Sequence, residues 1–310
     1  MSPDDAPTRH NRPVVVGLGE LLWDTAVDGR RWGGAPANFA CHAAQLGADA
    51  WTVSAVGDDD DGRALLRAAS AHGVQACVAS LPDRPTGRVD VAVDPRGVPS
   101  YRIAEHSAWD HIPWSDEVAA LAARADAVCF GSLAQRRPDS RATIRRFLDT
   151  APPHTLRIFD ANLRAPFDDQ QVMLDSLGLA DALKVNDDEW RQLTLWLDLE
   201  EGFDAACRTL CERFALRAVV RTNGARGSDA YVAGRAHTAP AAAVDAVDTV
   251  GAGDAFTAVC CLGLLRGADP DALLSLAGEV AGFVCTQPGG TPALDAGLGA
   301  RARRQLALQP

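Results

Sequence analysis

The chain has 310 residues, 47% of them hydrophobic, with 30 Lys and Arg against 41 Asp and Glu and a formal charge of −11. That length buries a substantial core, and an acidic balance without a basic cluster excludes a surface that tracks a nucleic-acid backbone. No run approaches about 18 consecutive apolar residues, which excludes a predicted membrane span.

Residues 1–12 are polar and contain two prolines, so they read as a flexible tail and not as a signal peptide. Val14–Leu18 then reads as a buried strand. Residues 36–46 place Phe39, Ala40, Ala43, Ala44 and Leu46 at helical spacing, with Gly47 as a C-cap. Residues 51–56 form the next predicted strand, followed by Gly57 and a helix through Leu65 and Leu66. The series continues with strands at 127–130, 156–159, 182–185 and 218–220, separated by amphipathic stretches such as 141–148 and 203–214. Such alternation predicts an α/β fold, a mostly parallel central sheet with helices on both faces.

Two segments break the rhythm. Residues 24–32 are polar and too short for a helix. Residues 86–103 alternate in the strand manner (Val89, Val91, Val93, then Val98, Tyr101, Ile103) around a turn at Asp94-Pro95-Arg96-Gly97. The expected organisation is one domain, residues 13–310, with a discontinuous β lid from about 24–33 and 84–113. The eight cysteines lie mostly in apolar segments without a C-x-x-C pair, as expected of reduced thiols in a cytoplasmic protein.

Several nucleotide motifs are absent. Leu22 occupies the third glycine position of a G-x-G-x-x-G begun by Gly17 and Gly19. The sole lysine, Lys184, follows Leu183, so there is neither a Walker P-loop nor a protein-kinase V-A-I-K. Any phosphate would therefore be held without a P-loop lysine. The strongest positive signal is Asp248-Thr249-Val250-Gly251-Ala252-Gly253-Asp254-Ala255-Phe256, where small residues open the apolar helix at 255–265. Consecutive amides at Gly251, Ala252 and Gly253 would converge on an anion with the helix dipole behind them. Asp254, one residue on, would stand beside that anion as a general base. On spacing alone, a tight turn with Asp254 as a helix cap fits equally well. The second signal is Gly33-Gly34-Ala35-Pro36-Ala37-Asn38, whose glycines permit close backbone approach and whose Asn38 can donate to and accept from sugar hydroxyls. A glycine turn with a first-turn Asn fits the same residues.

Together these segments resemble the ribokinase-like (PfkB) carbohydrate kinases, and within them the fructokinase-like branch. The resemblance runs from about Val14 to Leu294. Gly34 through Asn38, with Gly47 and Gly57, match the family's N-terminal motif, and Asp248 through Phe256 its C-terminal motif. Gly19-Glu20-Leu21-Leu22-Trp23-Asp24 is similar to the first strand-end. Asp160-Ala161-Asn162-Leu163-Arg164 is similar to a D-x-N-x-R segment, and Asn186-Asp187-Asp188-Glu189 to an N-x-x-E segment. Residues 221–227 resemble a glycine nucleotide loop.

The resemblance implies ATP-dependent phosphorylation of a sugar hydroxyl, with fructose or a related ketose as substrate. It implies Asp254 as base and the amides of Gly251, Ala252 and Gly253 as anion hole. Asp24, Gly33, Gly34, Asn38 and Arg164 would bind substrate, and Lys184, Asn186, Thr222, Gly224 and Gly227 the nucleotide. Glu189 would act through water on Mg²⁺, while Asp248 and the Val250 carbonyl, with carbonyls between Cys285 and Gly290, would hold a monovalent cation such as K⁺. The lid would close over the sugar and exclude water, and an exposed face on Val89, Val91 and Val93 would let two lids pair in a homodimer.

Alternatives stay open. Arg88, Arg102 or Arg164 would suit the carboxylate of 2-keto-3-deoxygluconate; Trp32, Trp109 and Trp114 would suit a nucleoside base; a non-catalytic sugar-binding protein would keep the same fold. Two departures from the family pattern stand out: Val259, where a small residue is usual, and Arg221, where an apolar one is. The acidic run at residues 58–61 reads as a helix N-terminus and not as a metal site.

Overall fold

The computed structural model describes residues 12–26, 29–93 and 99–308. Thirteen strands are present among them: β1 (Val14–Leu18), β2 (Leu22–Ala26), β3 (Gly29–Gly33), β4 (Asp49–Gly57), β5 (Gln75–Leu81), β6 (Gly87–Val93), β7 (Pro99–Ile103), β8 (Ala127–Phe130), β9 (Leu156–Asp160), β10 (Ala182–Asn186), β11 (Ala218–Thr222), β12 (Ser228–Val232) and β13 (Arg235–Ala239). The helices are α1 (Ala35–Gln45), α2 (Asp60–Ala71), α3 (Asp116–Ala122), α4 (Pro138–Thr150), α5 (Gln170–Leu177), α6 (Asp187–Leu197), α7 (Phe203–Phe214), α8 (Ala252–Arg266), α9 (Pro270–Cys285) and α10 (Ala296–Gln305).

Nine strands form the central sheet in the order β13-β12-β11-β10-β9-β8-β1-β4-β5. From β11 to β5 every pairing is parallel, and only the β11-β12-β13 meander is antiparallel. Successive side chains of a strand point to opposite faces, so β1 serves two cores. Val14, Val16 and Leu18 join the apolar layer under α3 to α7, while Val15 joins the layer under α1, α8, α9 and α10. The order reverses at β1: later strands add first on its β4 side, then on its β8 side. In open α/β sheets, ligands bind in the crevice beyond the carboxyl ends of the strands at such a reversal.

A second sheet, β3-β2-β6-β7, stands beside the first. β2 and β6 are parallel, the outer pairs antiparallel. Its root is tight: a Cβ on Gly87 would come 2.4 Å from Cδ1 of Trp109, which is fully buried. The 94–97 turn lies outside the described residues. Val89 is buried, so the expected exposed valine face does not exist at that position; the side chains of Val91 and Val93 lie outside the described residues.

Other differences have local causes. β5 and β13 are half-exposed edge elements whose polar alternation is weak, and neither stands out as a strand by pattern. The 58–61 run behaves as expected: Asp59 caps α2, accepting Gly62 N at 2.7 Å. Arg221, out of place by family pattern, pairs with Asp229 directly opposite it on β12 (Nη2–Oδ2 2.6 Å) and stacks on Phe203. Val259 is fully buried in the layer that α8 shares with Phe39 and Ala43 of α1. The eight cysteines are free thiols.

Candidate active site

The carboxyl ends of β1, β9, β10 and β11 and the N-terminus of α8 supply the site. Gly251 is the N-cap of α8 at φ 76°, a left-handed conformation that favours glycine, and no side chain caps this end. A Cβ on Gly251 would also stand 2.0 Å from the Gly290 carbonyl oxygen, so conformation and space both require glycine. Ala252, Gly253 and Asp254 form the first turn. An uncapped first turn with the dipole behind it is an anion site.

Asp254 does not cap its own helix. Its Oδ2 accepts a hydrogen bond from Asn38 Nδ2 on α1 (2.9 Å). Burial pushes its pKa up to about 6, Asp160 adds to the rise, and Asn38, Lys184 and Arg164 oppose it. A carboxylate so tuned is ionised at neutral pH yet basic enough to take a proton from a hydroxyl.

Lys184, on β10, is 8% exposed and salt-bridged to Asp160 of β9 (Nζ–Oδ1 3.1 Å). Asp160 Oδ2 accepts from Thr257 Oγ1 of α8 (2.8 Å). A Cβ on Gly253 would lie 3.0 Å from Lys184 Nζ, so the ammonium stands against the first turn of α8. Burial alone would lower the Lys184 pKa, but the Asp160, Glu189 and Asp254 carboxylates together raise it. The ammonium stays charged beside the anion site.

The N-x-x-E segment is a capping box. Asn186 caps α6 by accepting Glu189 N (2.9 Å), and Glu189 Oε2 accepts Asn186 N (2.8 Å). Glu189 Oε1 accepts Leu163 N (2.9 Å), tying α6 to the D-x-N-x-R loop. Each carboxylate oxygen has a second lone pair, which suits an outer-sphere role toward a hydrated cation. Among the described residues no cluster of three or more His, Cys, Asp or Glu could hold a metal ion directly. Thr222 pairs with Asn186 in register across β10–β11. The following loop turns on Gly224 at φ 55° and Gly227 at φ 100°, where a Cβ would lie 2.1 Å from the Ala239 carbonyl oxygen. Asp248 closes another loop: Oδ1 accepts Val250 N (3.0 Å) and Oδ2 accepts Gly289 N (2.9 Å).

On the lid side, a Cβ on Gly33 would fall 2.2 Å from Asp24 Oδ2, so Gly33 makes room for that carboxylate. Gly34, at φ 105°, lies against the Glu20 backbone. The Asp24 pKa is pushed up to about 6 by burial and by Asp254, against Arg164. Arg164 is exposed, and its charge is felt by Asp24, Glu20, Glu189 and Asp254. Arg88 lies instead 3.6 Å from Asp90 on the lid, and Arg102 is exposed on β7. Of the tryptophans that would suit a nucleoside base, Trp32 stacks on His72, Trp109 lies under Arg136, and Trp114 under Arg146.

Three contributors carry no assigned role in the motif pattern. Asp160 and Thr257 brace Lys184. Glu20 is a third acid of the site, 2% exposed, with an unpartnered Oε2; burial, helped by Asp254, pushes its pKa up to about 7. The available signal was its place, directly after the buried β1 at the sheet's reversal point.

An uncapped helix N-terminus, a buried ammonium beside it and a carboxylate of raised pKa are groups that suit phosphoryl transfer. The model of the pfkB family carbohydrate kinases matches residues 26–296, and the chain belongs to that family. A fructokinase of Klebsiella pneumoniae is 31% identical over 277 residues, covering 85% of this chain and 88% of the relative. The solved structure of an uncharacterized sugar kinase of Pyrococcus horikoshii in complex with ATP matches with a TM-score of 0.75 at 25% identity, covering 94% of this chain and 99% of that one. A 2-dehydro-3-deoxygluconokinase from Thermotoga maritima shares the fold, with a TM-score of 0.81 at 19% identity over 95% of this chain and 99% of that one.

Proposed function

We propose that this carbohydrate kinase transfers the γ-phosphoryl group of ATP to a hydroxyl of fructose or a closely related ketose. The observation that carries the reading is the meeting of Asp254, Asn38 and Lys184 at the uncapped first turn of α8.

In this reading Asp24, Gly33, Gly34 and Asn38 hold the sugar, and Asn38 also aims Asp254 by its hydrogen bond. Asp254 takes the proton of the attacking hydroxyl as that oxygen bonds to the γ-phosphorus in line with the departing ADP. The charge on the transferring group is met by the amides at Gly251, Ala252 and Gly253 and by the Lys184 ammonium. The ends of β10 and β11, with Asn186, Thr222, Gly224 and Gly227, hold the nucleotide. Mg²⁺ suits the outer-sphere acceptors of Glu189 and would neutralise phosphate charge. K⁺ would suit the loop organised by Asp248, with the Val250 carbonyl as one ligand. Closure of the lid sheet excludes water as a competing acceptor.

A second reading rests on Arg164. A guanidinium felt by four carboxyls of the site would also attract a carboxylate-bearing substrate such as 2-keto-3-deoxygluconate. Comparing kcat/KM for fructose, tagatose, ribose, 2-keto-3-deoxygluconate and adenosine decides between them, with ATP consumption measured with and without Mg²⁺. Preference for a ketose bears out the first reading, and preference for the acid installs the second. Sugar binding without turnover removes both.

A further inference from the structure

Helix α1 presents Asn38, His42 and Gln45 four and then three residues apart, one face of a helix. Asn38 holds Asp254. Gln45 Nε2 donates to the Pro292 carbonyl (3.1 Å), and its Oε1 accepts Leu294 N (2.7 Å). Between them, the wholly buried His42 places Nε2 2.9 Å from the Gly290 carbonyl oxygen. A carbonyl only accepts, so the ring proton is on Nε2. Nδ1 has no partner among the described residues, as suits a ring whose pKa burial lowers to about 4 and which therefore stays neutral.

The carbonyl held by His42 has a particular neighbour. Its oxygen lies 2.0 Å from where a Cβ on Gly251 would be, so the Gly290 and Gly251 backbones touch. Gly251 is the left-handed residue that turns the chain into α8 and directs the first amides of that helix. One helix thus grips both halves of the transfer machinery: the base through Asn38, and the wall behind the anion hole through His42.

We propose that His42 is a positioning residue for phosphoryl transfer, acting through the Gly290 carbonyl on the conformation of Gly251 and hence on the aim of the α8 amides. The inference rests on the phosphoryl-transfer reading of α8. His42 touches no substrate. Its effect belongs to the transition state, because the amides must meet charge where it develops and a displacement near 1 Å costs on the order of 10²-fold in rate. Sugar affinity, set at the lid side, is left alone.

His42→Leu fills the ring's volume without a donor, and His42→Gln restores a donor nitrogen. The expected result for His42→Leu is a fall in kcat of about 10- to 100-fold with sugar KM within about threefold of the parent. Measurements are made well below the Tm of each protein, and His42→Gln recovers most of the lost kcat. Equal kcat in the two variants, or a change confined to sugar KM, overturns the proposal. Should His42→Leu fail to fold, His42→Asn, whose amide is too short to reach Gly290, is expected to show the same kcat loss, and normal kcat in it overturns the proposal just as well. Asp254→Asn is run in parallel. Full turnover in that variant refutes the underlying reading of α8, whereas an inactive Asp254→Asn beside a fully active His42→Leu refutes only the role of His42.

Discussion

On the proposed reading the site has a phosphoryl end and a sugar end, and the two are built on different principles. At the phosphoryl end nearly every polar group already has a partner: Lys184 is paired with Asp160, Asp160 with Thr257, Asp254 with Asn38, and Glu189 with two backbone amides. At the sugar end the acids are crowded, and one carboxyl oxygen is left over. Asp24 and Glu20 both feel Asp254 as a like charge, and Glu20 Oε2 has no partner among the described residues. A group transferred in every turnover can be met by a finished constellation. A substrate that must enter, be recognised and leave is met by unsatisfied groups whose cost it relieves on binding. Substitutions at the first end should therefore strike kcat or folding, and those at the second should strike sugar KM and pH dependence.

The largest effect is expected at Asp254. Asp254→Asn keeps the shape and removes the proton acceptor, so kcat should fall by a factor on the order of 10² or more, with sugar binding changed by less than about threefold. Calorimetric binding beside steady-state rates checks it, and a normal rate removes Asp254 as base.

Lys184→Met is expected to damage folding as well as rate. It strands the buried Asp160 carboxylate, and losing one partner of a buried pair costs about 3–5 kcal/mol, or roughly 5–10 °C of Tm in a chain of this size. An unchanged Tm would mean that water reaches Asp160.

The contrast between the ends also explains what could be read from residues alone. Residues 248–256 announce themselves because an anion hole is local backbone chemistry, written in consecutive small residues before an apolar helix. Asn186 and Glu189 were legible as a pair only through the family's N-x-x-E segment, and the structure shows that their three-residue spacing is that of a capping box. The link from Asp160 to Thr257 spans 97 positions and leaves no trace in linear spacing. Glu20 was visible only as an acid after a strand, within the segment similar to the family's first strand-end, and its burial has no mark in the linear pattern. Of the lid strands, β6 and β7 were legible by alternation, whereas the polar β2 and β3 were not; nor were β5 and β13, because an edge strand needs little apolar face to pair.

At the sugar end, Gly33→Ala should act on recognition. Its methyl would fall 2.2 Å from Asp24 Oδ2 and displace that carboxylate. Sugar KM should rise by about tenfold with ATP KM little changed. Equal rises in both would place Asp24 outside the sugar pocket.

The smallest expected effect, and the sharpest on the comparison, belongs to Glu20. Its pKa is raised from 4.5 to about 7 mainly by burial, so the folded protein favours the protonated form. The stability this contributes is present in full below about pH 4.5 and is lost as pH rises through about 7. Glu20→Gln keeps the neutral shape at every pH. Its Tm should therefore match the parent near pH 4.5 and exceed it at pH 8. Because Glu20 is mostly protonated where Asp254, with a pKa of about 6, titrates, the acid limb of kcat/KM should stay close to that of the parent. A Tm advantage that is the same at both pH values would mean that Glu20 ionises freely. The unpartnered oxygen would then be a packing detail, and the sugar end would be as finished as the phosphoryl end.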